Sequence, residues 1–126
     1  MKDTSHENNT PVIGSVQKRT TPHGMLFSYQ LFIPSTLAFF EGHFPDTPLL
    51  PGVAQIHWAI TLAHECGANG EFISVDRLKF KKPIRPDLDV VLALNISSDS
   101  KEVTFSYTTQ ENEYSSGKIC LGAPHV

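Results

Sequence analysis

Apolar residues recur in two different rhythms along this chain. Between Met25 and Ile33 they partly alternate, as Leu26, Phe27, Tyr29, Leu31, Phe32 and Ile33. Period-two spacing is that of a strand with one face on a core. Val12 to Arg19 reads as a preceding strand with an irregularity at Gly14, and Thr20-Thr21-Pro22-His23-Gly24 supplies the turn between the two. Pro34-Ser35-Thr36 opens a short helical or irregular stretch through Leu37, Phe39 and Phe40. Further strands are expected at about Glu71–Phe80, Val90–Ser97, Val103–Thr109 and Tyr114–Leu121, with polar turns at 86–89, 98–101 and 110–113. One segment is of another kind. From Gly52 to about Cys66, the residues Val53, Ala54, Ile56, Trp58, Ala59, Ile60, Leu62 and Ala63 leave hardly any polar face, which predicts one long helix buried all round. Gly67 and Gly70 mark its end. Antiparallel strands around one buried helix give an α+β fold, a sheet wrapped around a central helix. Residues 1–10 are polar and are expected to form a flexible tail, leaving 11–126 as a single domain without repeat or linker.

Composition narrows the field of functions. With 126 residues and a net charge of −3, the chain is one small domain with no global attraction for nucleic acid or acidic membranes. Charged residues make up only 18%, which suits a protein that hides surface in a dimer. The N-terminus lacks the apolar centre of a secretory signal, and no apolar run is long enough to cross a bilayer, so a cytoplasmic protein is expected. Cys66 and Cys120 fit reduced, buried thiols better than a disulfide framework.

The candidate chemistry sits just before the helix. The run Glu41-Gly42-His43-Phe44-Pro45-Asp46-Thr47-Pro48-Leu49-Leu50-Pro51-Gly52-Val53 holds one histidine in a loop of three evenly spaced prolines. Proline fixes its own φ and restricts its predecessor, so such a loop is pre-shaped. Pro51-Gly52 leaves bare N–H groups at a helix start, where a developing anion is stabilised. A histidine near those donors is a general base beside an oxyanion site.

These residues resemble the signature of the FabA/FabZ-type 3-hydroxyacyl-[acyl-carrier-protein] dehydratases. The continuation Leu49-Leu50-Pro51-Gly52-Val53-Ala54-Gln55-Ile56 is most similar to the ApeI-like branch, associated with aryl polyene assembly. A second block, Asp76-Arg77-Leu78-Lys79-Phe80-Lys81-Lys82-Pro83-Ile84-Arg85-Pro86-Asp87, resembles the family's strand and turn after the helix. The resemblance spans roughly residues 11 to 122. It implies the hotdog fold, a dimer whose sheets join edge to edge, and removal of water from a 3-hydroxyacyl thioester held on the phosphopantetheine of an acyl carrier protein. No metal or redox cofactor is implied.

The resemblance assigns roles residue by residue. His43 becomes the base, the alternative being a structural histidine that pins the loop. The Gly52 N–H becomes the oxyanion donor, and Val53 faces either the acyl path or the core. The chain departs from the family at one position. Where the family keeps Glu or Asp, fourteen residues after the loop histidine, this chain has His57. His57 either takes over as acid, facing His43 of the other subunit, or is a buried histidine satisfied by a neighbour. Glu65 lies ~12 Å along the helix from His57, too far to substitute directly. Asp46 is either a stand-in for the acid or a solvated turn aspartate, and Glu41 is a spare carboxylate, while Gln55 holds loop backbone, substrate or simply the core. Phe39, Phe40, Phe44 and Trp58 either line an acyl tunnel or belong to the core. His57 and His64 are seven apart, which is no usual zinc spacing, and a metal site is not expected.

Lys79, Lys81, Lys82 and Arg85 form the basic cluster of an otherwise acidic chain. They either steer an acidic carrier protein or defend a strand edge. Three functions follow: a dehydratase using His43 and His57, a non-catalytic hotdog subunit that stabilises an active partner, or a hotdog thioesterase.

Overall fold

The computed structural model describes residues 9–40 and 48–122. Within them six strands, β1 (Val12–Thr21), β2 (Gly24–Ile33), β3 (Glu71–Phe80), β4 (Leu88–Ser97), β5 (Glu102–Thr108) and β6 (Glu113–Gly122), form one sheet. The helix α1 (Gly52–Glu65) lies between β2 and β3 in sequence. Strand order is β1-β2-β4-β5-β6-β3, and every neighbouring pair is antiparallel. β3 spans the expected residues. The first hairpin is tighter than expected, because Thr20 and Thr21 pair with Met25 and Gly24. Gly24 is required there: a Cβ would collide with the carbonyl of Ile96 on β4.

Alternation places one face of the sheet on the helix. Tyr29, Leu31 and Ile33 of β2, Val90, Leu92, Leu94 and Ile96 of β4, Val103, Phe105 and Tyr107 of β5, and Ile119 and Leu121 of β6 are all buried. The helix answers with Ala54, Trp58, Ala59, Leu62 and Ala63. Three alanines in that set let the helix axis approach the sheet closely. The helix is not buried all round, as its apolar sequence predicts. Val53 is 72% exposed, and His57, Thr61, His64 and Glu65 are exposed as well. The sheet covers one side of the helix, and within the described residues the opposite side is left open.

Both sheet edges carry bulges. In β1 the register shifts between Ile13 and Ser15. β3 shifts twice, between Phe72 and Ser74 and between Asp76 and Lys79, and Arg77 adopts a φ of 56° inside the second bulge. A left-handed, non-glycine residue in a strand is locally costly. β3 also exposes Phe72, Ile73, Leu78 and Phe80.

The core holds two phenols and a thiol in protonated form. Tyr107 is fully buried and donates to the Gln55 carbonyl at 2.6 Å. Tyr29 Oη lies 3.0 Å from Cys66 Sγ. Cys66 and Cys120 are both free and half-buried. Burial pushes Tyr107 and Tyr29 well above the ordinary phenol range, and burial raises Cys66 too. In the unfolded chain these groups ionise at roughly 8.5 for a thiol and 10 for a phenol. Above those values the folded state binds more protons than the unfolded one, so its stability falls as pH rises. The melting temperature is therefore expected to hold up to about pH 8.5 and to drop steadily beyond it. Tyr107→Phe should flatten part of that slope in circular-dichroism melts; a wild-type melting temperature that stays level into the phenol range would contradict this account.

Candidate active site

The start of α1 is fixed by contacts from three strands and a turn. Pro51 occupies the N-cap with extended backbone (φ −61°, ψ 147°), has no side-chain cap, and is followed by a first turn without acidic residues. The Ala54 and Gln55 N–H groups both bond to the Pro51 carbonyl, at 3.1 and 3.3 Å. The N–H groups of Gly52 and Val53 have no acceptor within a helix, and the helix dipole adds positive potential at that end. Leu50 is anchored by its N–H to the Ile84 carbonyl at 2.8 Å.

Gln55 ties this helix start to the sheet. Its side chain is 3% exposed, and Nε2 donates to the Leu50 carbonyl at 3.3 Å. Ser115 Oγ on β6 donates to Gln55 Oε1 at 2.6 Å, and Tyr107 on β5 reaches the Gln55 carbonyl. Gln55 is thus both a buried structural amide and a holder of loop backbone. Phe80, at the end of β3, lies over Gly52: a Cβ on Gly52 would sit 2.6 Å from the Phe80 ring. Sequence reasoning missed this role for Phe80, because nothing local distinguishes it from any aromatic at a strand end.

His57 projects from the open side of the helix together with Val53 and Thr61. It is exposed in the single chain. Val53 is exposed on the same side. Both border a cavity of about 670 Å³, whose other walls include Ile13, Phe39, Trp58 and Glu65. Phe39 and Trp58 meet edge to face, with ring centroids 6.2 Å apart at 65°. Glu65, two turns beyond His57, faces the same cavity from its far end. His64 has a separate task, with Nε2 2.9 Å from the Gly70 carbonyl beyond the helix end.

The basic residues lie in the segment whose Phe80 and Ile84 meet the helix start. Lys79 and Lys81 flank Phe80 in sequence, and the backbone N–H groups of Lys81 and Lys82 both donate to the Tyr114 carbonyl, at 2.9 and 3.2 Å. All four basic side chains are exposed. Lys81 pairs with Glu113 at 3.2 Å; both side chains are well solvated, so the pair adds little stability. His43, Glu41, Phe44 and Asp46 lie outside the described residues.

A family model described as ApeI dehydratase matches residues 17–118. The chain belongs to the ApeI-like dehydratase family. An uncharacterized protein from Erwinia carotovora subsp. atroseptica is similar in structure, with a TM-score of 0.80 and 34% identity over 90% of this chain and 97% of that one. The dehydratase heterocomplex ApeI:P from Xenorhabdus doucetiae gives a TM-score of 0.78 and 35% identity, covering 89% and 97%. The 3-hydroxyacyl-[acyl-carrier-protein] dehydratase FabZ of Caldanaerobacter subterraneus subsp. tengcongensis is 36% identical over 74 residues. That match covers 52% of each chain, so the chain spans about half the length of the curated relatives it matches. The fold is accordingly the hotdog fold of these dehydratases.

The Gln55 clamp makes a quantitative prediction. Gln55→Leu leaves the buried Ser115 hydroxyl without its acceptor and should cost about 1–3 kcal/mol in urea unfolding. Adding Ser115→Ala should recover part of that loss, because the two changes act on one contact. Strict additivity would show that the contact contributes nothing.

Proposed function

We propose that this ApeI-like protein dehydrates 3-hydroxyacyl thioesters carried on an acyl carrier protein, giving 2-enoyl thioesters. The observation that carries the reading is the placement of His57. An exposed imidazole stands beside a largely apolar cavity, at the position where the resemblance puts the family's acid, one turn from a helix start whose N–H groups suit an oxyanion.

The mechanism assigns one role to each group. His43 takes a proton from C2 of the substrate. Negative charge then grows on the thioester oxygen, where the Gly52 N–H and the helix dipole oppose it. His57, protonated, gives a proton to the departing C3 hydroxyl, and the C3–O bond breaks to release water. The electron pair left at C2 becomes the double bond. His43 ends protonated and His57 neutral, so return of one proton between them resets the site. The chemistry needs no cofactor beyond the phosphopantetheine that bears the substrate. Lys79, Lys81, Lys82 and Arg85, all exposed, would receive an acidic carrier protein delivering its thioester. The apolar residues exposed on β3 suit an edge-to-edge dimer, either with a second copy or with a related hotdog subunit. That dimer would bring His43 of one protomer to His57 of its partner.

A second reading is kept because one similar structure is a heterocomplex and because a histidine replaces the expected carboxylate. In it the chain is a non-catalytic subunit that stabilises an active partner.

Purified protein incubated with a 3-hydroxyacyl-carrier-protein should lose one water, followed by mass. His43→Ala should abolish turnover while the melting curve stays cooperative. His57→Ala should lower kcat about 10²-fold, the usual size for loss of an acid catalyst. No turnover from folded, dimeric wild type would favour the non-catalytic subunit. Full activity in His57→Ala would remove His57 from the chemistry.

A further inference from the structure

The first edge strand builds a wall opposite His57. In the β1–β2 pairing, Val12 lies opposite Phe32 and Ile13 opposite Leu31, whereas Ser15 is already opposite Gln30 and Val16 opposite Tyr29. Gly14 is the extra residue. Leu31 and Tyr29 are buried on the helix side of the sheet, so Ile13 and Val16 share that side. Unbroken alternation back from Val16 would turn Ile13 to the opposite face. The bulge re-aims Ile13, and it lines the cavity beside His57.

A second, independent contact holds the preceding residues in place. Trp58 is 3% exposed, and its indole N–H needs a partner. It donates at 2.8 Å to the backbone carbonyl of Asn9. That bond carries the chain across the cavity, so Asn9, Thr10 and Pro11 join Ile13 along one side. The helix forms the other side from Val53 to Glu65, ~18 Å of axis. The result is largely apolar and within the volume range of pockets that bury small ligands.

We infer that Asn9, Thr10, Pro11 and Ile13 form the wall against which the acyl chain of the thioester lies, with Ile13 and Trp58 as specificity-determining residues. The identity of the ligand rests on the dehydratase reading. A thioester with C3 at His57 has the helix side from Trp58 to Leu62 along which to lay its tail, against the wall that includes Ile13. A longer acyl chain covers more of that wall than a short one, so the wall favours longer chains.

Trp58 is the single tryptophan of the chain, so its fluorescence reports occupancy without requiring turnover. The full chain would be titrated with butenoyl-pantetheine and dodecenoyl-pantetheine. Dodecenoyl-pantetheine should shift Trp58 emission saturably, and Ile13→Asp should weaken that binding about tenfold through loss of apolar contact. Val12→Asp is the control: Val12 is similarly exposed on the same strand but faces the other way, and its affinity should match wild type. Butenoyl-pantetheine should lose less affinity than dodecenoyl-pantetheine on Ile13→Asp. Ile13→Ser serves if Ile13→Asp fails to melt cooperatively. No Trp58 response to dodecenoyl-pantetheine, or equal losses at positions 12 and 13, would overturn the wall. Dehydration assays on the same samples separate the two readings. Turnover that is indifferent to Ile13 removes the wall and leaves the dehydratase. Binding that depends on Ile13 without turnover supports the wall and removes catalysis by this chain alone.

Discussion

One helix about 10–12 Å across cannot cover a sheet whose six strands span roughly 24 Å. That mismatch organises the molecule. The helix seals β2, β4, β5 and β6, whose inward residues are almost wholly buried. It cannot reach the inward residues of the two edges, so Ile13 and Val16 on β1 and Phe72 and Phe80 on β3 keep much of their apolar surface open. Each edge handles the shortfall differently. At β1 the chain folds its own preceding residues back onto Trp58 and borders an open cavity. At β3 the apolar surface stays open in the described residues, and two bulges shape the strand.

The same mismatch explains why the helix can be apolar in sequence yet carry a site. Its sheet-facing side is fixed by alanines and by the buried Gln55, whose bonds to Leu50 and Ser115 and whose carbonyl bond from Tyr107 set the position of the first turn. With that turn held, the side facing away from the sheet presents Val53, His57 and Thr61 in a fixed row. A buried polar network of this kind specifies position more than it adds stability, since each bond is worth only about 1 kcal/mol net. Its use here is geometric: it sets where the helix-start N–H groups stand relative to the basic turn at Lys81 and Lys82.

Much of this was legible in the sequence. Alternation located all six strands, and an apolar run with glycines after it located the helix. The proline loop and the block from Asp76 to Asp87 pointed to the family. The irregularity at Gly14 was visible, though not its effect on Ile13, because a bulge is defined by the partner strand. The buried-all-round helix was misjudged for a related reason. Ile56 and Ile60 do pack against the core, but Val53 stands open, because composition does not say how many neighbours are available to cover it.

The sequence by itself determined the element types, their order, the loop chemistry before α1 and the replacement of a carboxylate by His57, because these depend on residue identity and local spacing alone. Tertiary structure decided which of those residues meet. Asn9 reaches Trp58 across 49 residues, and Gln55 reaches Ser115 across 60. Phe80 closes over Gly52 from the far edge of the sheet. Such contacts follow from strand order and register, which no local pattern encodes, and they are what turn an exposed histidine on a helix into one wall of a cavity.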